Sequence, residues 1–359
     1  MTTFTPRYRP DRRNFLKATG IIAAGLTFLP RGALAEEEKK LNFYNWDTYI
    51  GENTLAQFQE ASGIETKLDI FADTSELFAK LKGGNPGYDV IVPSGSWVQR
   101  MVGANMLMEL DHSKIPNIAN VDPAFMNPVF DQGRKHSLPY MWGTVGIGYR
   151  KSKIEGTPDS WKYFFGDSPY SGQISMLGDA RNVIGAALKF LGYSLNSVNP
   201  DELKKAEELL IAHKKNIKVF APDNGQDLLA SGEVVIAQEW NGDILQVMGE
   251  DDDIGYVLPS EGGQVWEDTL AIAAGAPHPN NAHAFINFLL DAKIGAEIAE
   301  FIQYGSPNAA AKKLTTPEYQ NNPAIFPTAE ALAKCEPEAY LGEEGQKLFE
   351  EAWTRIQAA

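Results

Sequence analysis

The sequence predicts an α/β protein made of two lobes. Its 359 residues are more than one hydrophobic core usually serves. Between residues 41 and 97, short apolar strand patterns alternate with amphipathic helix patterns, an order typical of a parallel sheet with crossover helices. A second series of strand and helix patterns runs from residue 173 to residue 243, which indicates a second sheet of the same kind.

The first series places two polar and aromatic segments at strand ends. Three apolar runs are predicted as strands, at residues 41–45, 64–71 and 88–92, and two amphipathic runs as helices, at residues 53–61 and 75–82. Trp46 to Tyr49 follow the first strand and Ser94 to Trp97 follow the third. Because ligands of open α/β sheets lie at the carboxyl ends of the strands, we expect both segments to face a ligand, although Ser94 alone could simply cap the next helix.

The second series begins after a segment rich in glycine. Residues 139–148 include Gly143, Gly146 and Gly148, but their spacing does not match a phosphate-binding loop, and we interpret the segment as a crossing between lobes that precedes a strand. Strands are then predicted at 173–177, 217–220, 234–237, 254–258 and 269–273. Helices are predicted up to residue 191 and at 202–214, 226–230, 282–290, 294–304 and 343–357.

Two pairs, each of one tryptophan and one aspartate, form the candidate site. Trp240 and Asp243 follow a buried strand, with Asp243 beginning a helix, and Trp266 and Asp268 lie two residues apart in another strand. An indole face attracts a cation and covers an apolar stem, while a carboxylate accepts hydrogen bonds from an ammonium group. The pairs therefore favour an amine ligand, although a single tryptophan at a strand end is more often a core residue than a ligand contact.

The N-terminus resembles an export signal of the twin-arginine type. The run from Asp11 to Lys17 contains Arg12 and Arg13, a mildly apolar stretch covers residues 21–29, and Ala33-Leu34-Ala35 forms a small-residue cleavage site. The stretch is about half of the ~20 apolar residues that a membrane anchor would need. We therefore expect residues 1–35 to be a signal peptide that is cleaved after Ala35, which places the mature protein in the periplasm.

Composition disfavours several classes of function. The net charge of −15 disfavours binding to nucleic acid. The single cysteine, Cys335, allows no internal disulfide, and neither a zinc-protease nor a serine-hydrolase motif is present. Two alternatives stay open: an extracytoplasmic carbohydrate-active enzyme using Asp243 and Asp268, and an iron receptor using Tyr49 and Tyr304.

From residue 41 onward the chain resembles the periplasmic polyamine-binding proteins, the spermidine/putrescine receptors of ABC importers. The resemblance rests on six motifs in the family's order: Asn45-Trp46 with Tyr49; Val92-Pro93-Ser94; Asp179-Ala180-Arg181; Trp240-Asn241-Gly242; Glu261-Gly262-Gly263 with Trp266 and Asp268; and Tyr304 with Pro307-Asn308. It implies the type II periplasmic binding protein fold, with two discontinuous α/β lobes joined by a hinge and the ligand in the cleft. Lobe one would comprise residues 36–143 and 268–312, and lobe two residues 144–267 and 313–359.

The resemblance also implies the ligand-binding positions. These are Trp46, Tyr49, Ser94, Asp179, Asn182, Trp240, Asp243, Trp266, Asp268 and Tyr304. Asn182 stands where the family usually has Glu, so a short diamine, a monoamine or another small cation remains an alternative to putrescine or spermidine. The implied protein is a non-catalytic, monomeric receptor without cofactor or metal, and its partner is the permease of an ABC importer.

Overall fold

The computed structural model describes residues 37–222 and 224–359, so the predicted signal peptide, residues 1–35, lies outside the described residues. The strands are β1 Lys40–Trp46, β2 Glu65–Phe71, β3 Val90–Ile91, β4 Ser137–Arg150, β5 Ile174–Leu177, β6 Ile217–Ala221, β7 Ile236–Trp240, β8 Ile254–Val257, β9 Gln264–Ile272 and β10 Glu336–Pro337. The helices are α1 Thr54–Ser62, α2 Thr74–Lys82, α3 Gly95–Gly103, α4 Ala180–Phe190, α5 Pro200–His213, α6 Gly225–Ala230, α7 Asn241–Met248, α8 Pro279–Leu289, α9 Ala292–Ile302, α10 Ala309–Lys312, α11 Pro317–Gln320, α12 Ala329–Leu332 and α13 Gly342–Ala358.

The strands follow the order β2-β1-β3-β9-β4-β7-β5-β6, with β10 added beside β9 and β8 beside β4. The predicted parallel pairing is confirmed: β1 is parallel to β2 and β3, and β5 is parallel to β6 and β7. The sheet as a whole is mixed, since β9 runs antiparallel to both β3 and β4. The two parallel groups are therefore joined by two long antiparallel strands.

The sequence predicts that the glycine-rich segment precedes a strand. This prediction is wrong, because the segment lies within β4. Residues 137–144 of β4 pair with β9, and residues 145–149 pair with β7, so the partner changes between Thr144 and Val145. The glycines allow close contacts across the strand: a Cβ at Gly148 would come within 2.5 Å of the Ile244 side chain. Their role is steric, because only a residue without a side chain leaves room for these neighbours.

Each parallel group has a hydrophobic core of its own. We call β1–β3, β9 and residues 137–144 the first sheet half, and β5–β8 with residues 145–150 the second sheet half. In the first half, Tyr44 and Ile91 pack with Val98 and Met101 of α3. In the second half, β5 and β7 pack with α4, α5 and α13, whose apolar residues are buried in one cluster.

Within the described residues, no helix combines the length and the apolar character that crossing a membrane requires.

Candidate functional site

Four aromatic side chains from distant parts of the chain meet between the two sheet halves. The ring centroids of Trp240 and Trp266 lie 5.7 Å apart, and those of Trp266 and Tyr304 lie 5.0 Å apart. Tyr49 completes the group, with its ring 5.3 Å from that of Tyr304. All three contacts are edge-to-face, a favourable geometry for aromatic pairs. We call these four residues the aromatic cluster.

Two glycines make room for the aromatic cluster. A Cβ at Gly143 would lie 2.6 Å from the Trp266 indole, and a Cβ at Gly242 would lie 2.5 Å from the Tyr304 ring. Neither glycine has a positive φ, so the requirement is space rather than backbone conformation. The rings can therefore lie directly against β4 and the start of α7.

Asp268 lies beside the cluster and is buried. It is two residues from Trp266 on β9, so both side chains project from the same face of the strand. Burial raises the pKa of the Asp268 carboxyl to about 7, the hydrogen bond from the Ser94 hydroxyl and the nearby Tyr49 hydroxyl oppose this shift, and the negative charges of Glu267 and Glu338 add to it. A carboxylate in this position is poorly hydrated and favours a bound cation.

Ser94 binds Asp268 rather than its own helix. It occupies the N-cap position of α3, but its side chain makes no capping hydrogen bond. Instead, the Ser94 hydroxyl donates to Oδ1 of Asp268 at 2.8 Å. The interpretation of Ser94 as a simple helix cap is therefore wrong.

Asp243 forms the second acidic point of the site. It lies in the first turn of α7, which begins at Asn241 rather than at Asp243 as predicted, and a carboxylate is favourable at this end of a helix. The Tyr304 hydroxyl donates to its Oδ1 at 2.6 Å. Burial raises the pKa of Asp243 to about 6, the hydrogen bond from Tyr304 opposes the shift, and the charges of Asp227 and Asp47 add to it.

Trp46 stands at the carboxyl end of β1, next to the segment that carries Ser94. Its indole N–H donates to the carbonyl of Val92 at 3.0 Å, and its ring centroid lies 4.6 Å from that of Phe71. The side chain is partly exposed. It is thus fixed by the hydrogen bond and keeps part of its surface accessible.

Asp179 and Asn182 bind each other. Asp179 caps α4 by accepting the backbone N–H of Asn182 at 2.9 Å, and the Asn182 side-chain amide also donates to the Asp179 carboxylate. Asn182 is 6% exposed, and within the described residues its Oδ1 has no hydrogen-bond partner. That side chain lines a small cavity together with Val145 and Gln238. The two residues are therefore adjacent to each other at the start of α4.

Glu338 lies near both Asp179 and Asp268, and it was not identified from the sequence. Its charge raises the pKa of both Asp179 and Asp268, so it lies near both. The Gln264 side-chain amide donates to Glu338 Oε2 at 3.0 Å. Glu338 follows the two-residue strand β10 in a segment without helix or strand periodicity, and no local pattern in the sequence singled it out.

Tyr140 is a second residue that sequence reasoning missed. Its hydroxyl donates to the carbonyl of Tyr49 at 2.9 Å, and the two rings lie 5.3 Å apart. Tyr140 therefore supports the position of Tyr49 from within β4. Tyr140 lies in the glycine-rich segment interpreted from the sequence as a crossing between lobes, and that pattern gave no sign of this contact.

The chemistry of the site suits a cation with apolar methylene groups. An ammonium group has donors only and needs acceptors, and Asp268 and Asp243 supply charged ones. Aromatic faces attract the cation and cover the methylenes. Among the described residues, no group of three or more His, Cys, Asp and Glu side chains is arranged to hold a metal ion.

Comparison with known sequences is consistent with this chemistry. The sequence model of the family described as bacterial extracellular solute-binding protein matches residues 53–328. The putrescine-binding periplasmic protein of Pseudomonas aeruginosa is 34% identical over 346 residues, covering 91% of this chain and 94% of that protein. The spermidine/putrescine-binding periplasmic protein of Escherichia coli is 34% identical over 349 residues, covering 96% of this chain and 97% of that protein.

Solved structures show the same fold. The spermidine/putrescine ABC transporter substrate-binding protein of Streptococcus pneumoniae superposes with a TM-score of 0.77 at 31% identity, covering 89% of this chain and 98% of that chain. The fold is the predicted type II periplasmic binding protein fold, whose two lobes enclose a cleft. From its sequence and its fold, the chain belongs to the bacterial extracellular solute-binding proteins, among the periplasmic spermidine/putrescine-binding proteins.

Proposed function

We propose that this protein is a non-catalytic receptor outside the cytoplasm that captures a polyamine of the putrescine or spermidine class and delivers it to the permease of an ABC importer. The observation that carries the proposal is the position of two carboxyls with raised pKa values, Asp268 and Asp243, beside one aromatic cluster. The names of the relatives support the same ligand class.

The binding energy follows from this arrangement. A hydrogen bond to a charged group contributes about 1.5–3 kcal/mol, and each cation–aromatic contact about 0.5–2 kcal/mol. A few such contacts give about −8 kcal/mol, a micromolar complex. Burial has already removed most of the water around these carboxylates. Binding an ammonium group therefore costs little further desolvation of the carboxylates.

The proposed ligand contacts are the residues expected from the sequence, with one addition. They are Trp46, Tyr49, Ser94, Asp179, Asn182, Trp240, Asp243, Trp266, Asp268 and Tyr304, to which we add Glu338. Asn182 brings no charge to its end of the site, whereas Glu338 places a carboxylate near Asp179 and Asp268. A second ammonium group of the ligand could pair there.

We also propose that the two lobes are residues 36–143 with 268–312 and residues 144–267 with 313–359. The change of partner in β4 between Thr144 and Val145 supports the first of these boundaries. Closure of the lobes would exclude water and strengthen each charged contact.

Export completes the proposal. Residues 1–35 would act as a twin-arginine signal peptide, and the periplasmic location stated in the names of the relatives supports this. N-terminal sequencing of the protein from a periplasmic fraction should begin at Glu36. Recovery of the uncleaved chain in membranes would contradict it.

A thermal-shift screen followed by calorimetry tests the function. The purified protein is screened against putrescine, spermidine, cadaverine, agmatine, monoamines, sugars and iron. Ligand at 100-fold over its dissociation constant adds about 2.7 kcal/mol to the free energy of unfolding, which gives a clear shift. Stabilisation by a polyamine supports the proposal. A response to sugar or iron without any to amines would replace it with one of the two alternatives, and a monoamine response alone would redefine the substrate.

A further inference from the structure

An ion pair joins the two sheet halves outside the aromatic cluster. The Arg100 guanidinium donates from Nε and Nη2 to the two carboxylate oxygens of Glu343, both at 2.9 Å. The Tyr340 hydroxyl donates to Oε1 of the same carboxylate at 2.9 Å. Arg100 also stacks on two aromatic rings, with its Cζ 4.5 Å from the centroid of Phe78 and 5.0 Å from that of Trp97. The guanidinium is thus held on its faces and on its edge.

The partners belong to separate cores. Arg100 lies in α3, whose Val98 and Met101 are buried in the core of the first sheet half. Glu343 lies in the first turn of α13, whose Phe349 and Ile356 are buried in the core of the second half. A bidentate Arg–carboxylate pair requires hydrogen-bond distances, so any movement that separates the two halves breaks it.

Both helices that carry the pair lie next to segments that reach the ligand site. Ser94, which binds Asp268, directly precedes α3. Glu338, which lies near Asp268 and Asp179, is in the segment that leads to α13. Ser96, Trp97 and Tyr340 line one crevice together with Arg100 and Glu338.

We propose that Arg100 and Glu343 form a latch that holds the cleft closed and slows release of the bound amine. This inference rests on the proposed function, since the latch acts on an amine it does not touch. An interaction made only in the closed form shifts the open–closed balance by its own free energy and lowers the apparent dissociation constant accordingly.

Stopped-flow fluorescence of putrescine release tests the latch. Arg100→Ala and Glu343→Ala should each raise the release rate constant about three- to fivefold, the range expected for a partly exposed ion pair, with little change in the melting temperature of the ligand-free protein. Arg100→Glu should have a larger effect because it opposes Glu343 with a like charge. Adding Glu343→Arg should restore most of the slow release.

The chain offers a matched control. Arg355 makes the same bidentate pair with Glu207, at 2.7 and 2.8 Å, but joins α13 to α5 within the second half. Arg355→Ala should leave the release rate unchanged. Equal release rates for wild type and Arg100→Ala would overturn the latch, as would an equal increase in Arg355→Ala.

A second measurement does not require any ligand. Spin labels at Lys80→Cys in α2 and Lys204→Cys in α5, in a Cys335→Ser background, report the distance between the two halves. In the ligand-free protein, Arg100→Glu should remove a short-distance population that wild type shows. An unchanged distance distribution would overturn the latch alone, whereas failure of every amine to bind wild type would overturn the proposed function alone.

Discussion

Asp268 lies within β9 and Asp179 lies at the N-cap of α4, and the hydrogen bonds of these two acids go to different partners. Asp179 accepts from the backbone and the side chain of Asn182 within its own helix turn. Asp268 accepts from Ser94, which is 174 residues away in the chain, and lies beside the aromatic cluster. The carboxylate of Asp179 is used locally, whereas that of Asp268 is held by the tertiary structure and faces the site.

An acid that lies in a family motif is therefore not, by that fact alone, a ligand contact. Burial raises the pKa of both carboxyls. Only Asp268 combines burial with adjacent aromatic faces, and a cation there gains both contributions. We therefore expect the charge of Asp268 to matter more for binding than the charge of Asp179.

The largest expected effect is that of Asp268→Asn. The substitution keeps the size of the side chain and an acceptor for Ser94, but removes the charge that an ammonium group would pair with. We expect putrescine or spermidine affinity to fall by roughly ten- to a hundredfold, as measured by calorimetry. Wild-type affinity in this variant would remove Asp268 from the proposed site.

The pH dependence of binding should come next in size. Because a bound cation favours the ionised carboxylates, binding should release protons where Asp243 and Asp268 are partly protonated, with pKa values of about 6 and 7. Affinity should therefore rise by at least about tenfold between pH 5 and pH 8. Calorimetry in buffers of different ionisation enthalpy measures the released protons, and a flat profile would contradict the prediction.

The stability of the ligand-free protein should change with pH in the opposite direction to the binding affinity, falling as the pH rises. A carboxyl whose pKa is raised on folding adds stability that is complete below its unfolded pKa of about 3.9 and is lost as the pH rises through the folded value. The melting temperature of wild type should therefore fall between about pH 5 and pH 8 relative to that of Asp268→Asn. Parallel curves for the two proteins would show that Asp268 is not titrating in this range.

Gly242→Ala should have an intermediate effect, because it disturbs the ring that holds Asp243. The added methyl would lie 2.5 Å from Tyr304, so the ring must move away. We expect affinity to fall about fivefold, corresponding to the loss of about 1 kcal/mol. Gly103→Ala at the end of α3, where a Cβ meets nothing within 4 Å, is the control and should bind normally. Equal affinities in both variants would show that the Tyr304 position is not critical.

The smallest expected effect is that of Asp179→Asn. Asparagine caps helices as well as aspartate does, so stability should hardly change, and only the charge is lost. We expect less than about a threefold loss of affinity by calorimetry. A loss as large as that of Asp268→Asn would break the comparison between the two acids and make the charge of Asp179 as important for binding as that of Asp268.

Local sequence patterns were sufficient for much of the fold and part of the site. The order of strands and helices and the parallel pairing of β1 with β2 and β3 follow from hydrophobic periodicity, which depends on neighbours in the chain. The spacing of Trp266 and Asp268 places both on one face of a strand for the same reason.

The tertiary structure alone decided which distant residues meet. Ser94 reaches Asp268, Tyr140 supports Tyr49, Glu338 lies near two acids, and Arg100 pairs with Glu343 across the halves. Hydrogen bonds and charge interactions act over a few ångströms in space, and burial is set by the packed neighbours. The sequence by itself therefore determined the elements and the types of residue in the site, while the packing of the elements decided their partners and their pKa values.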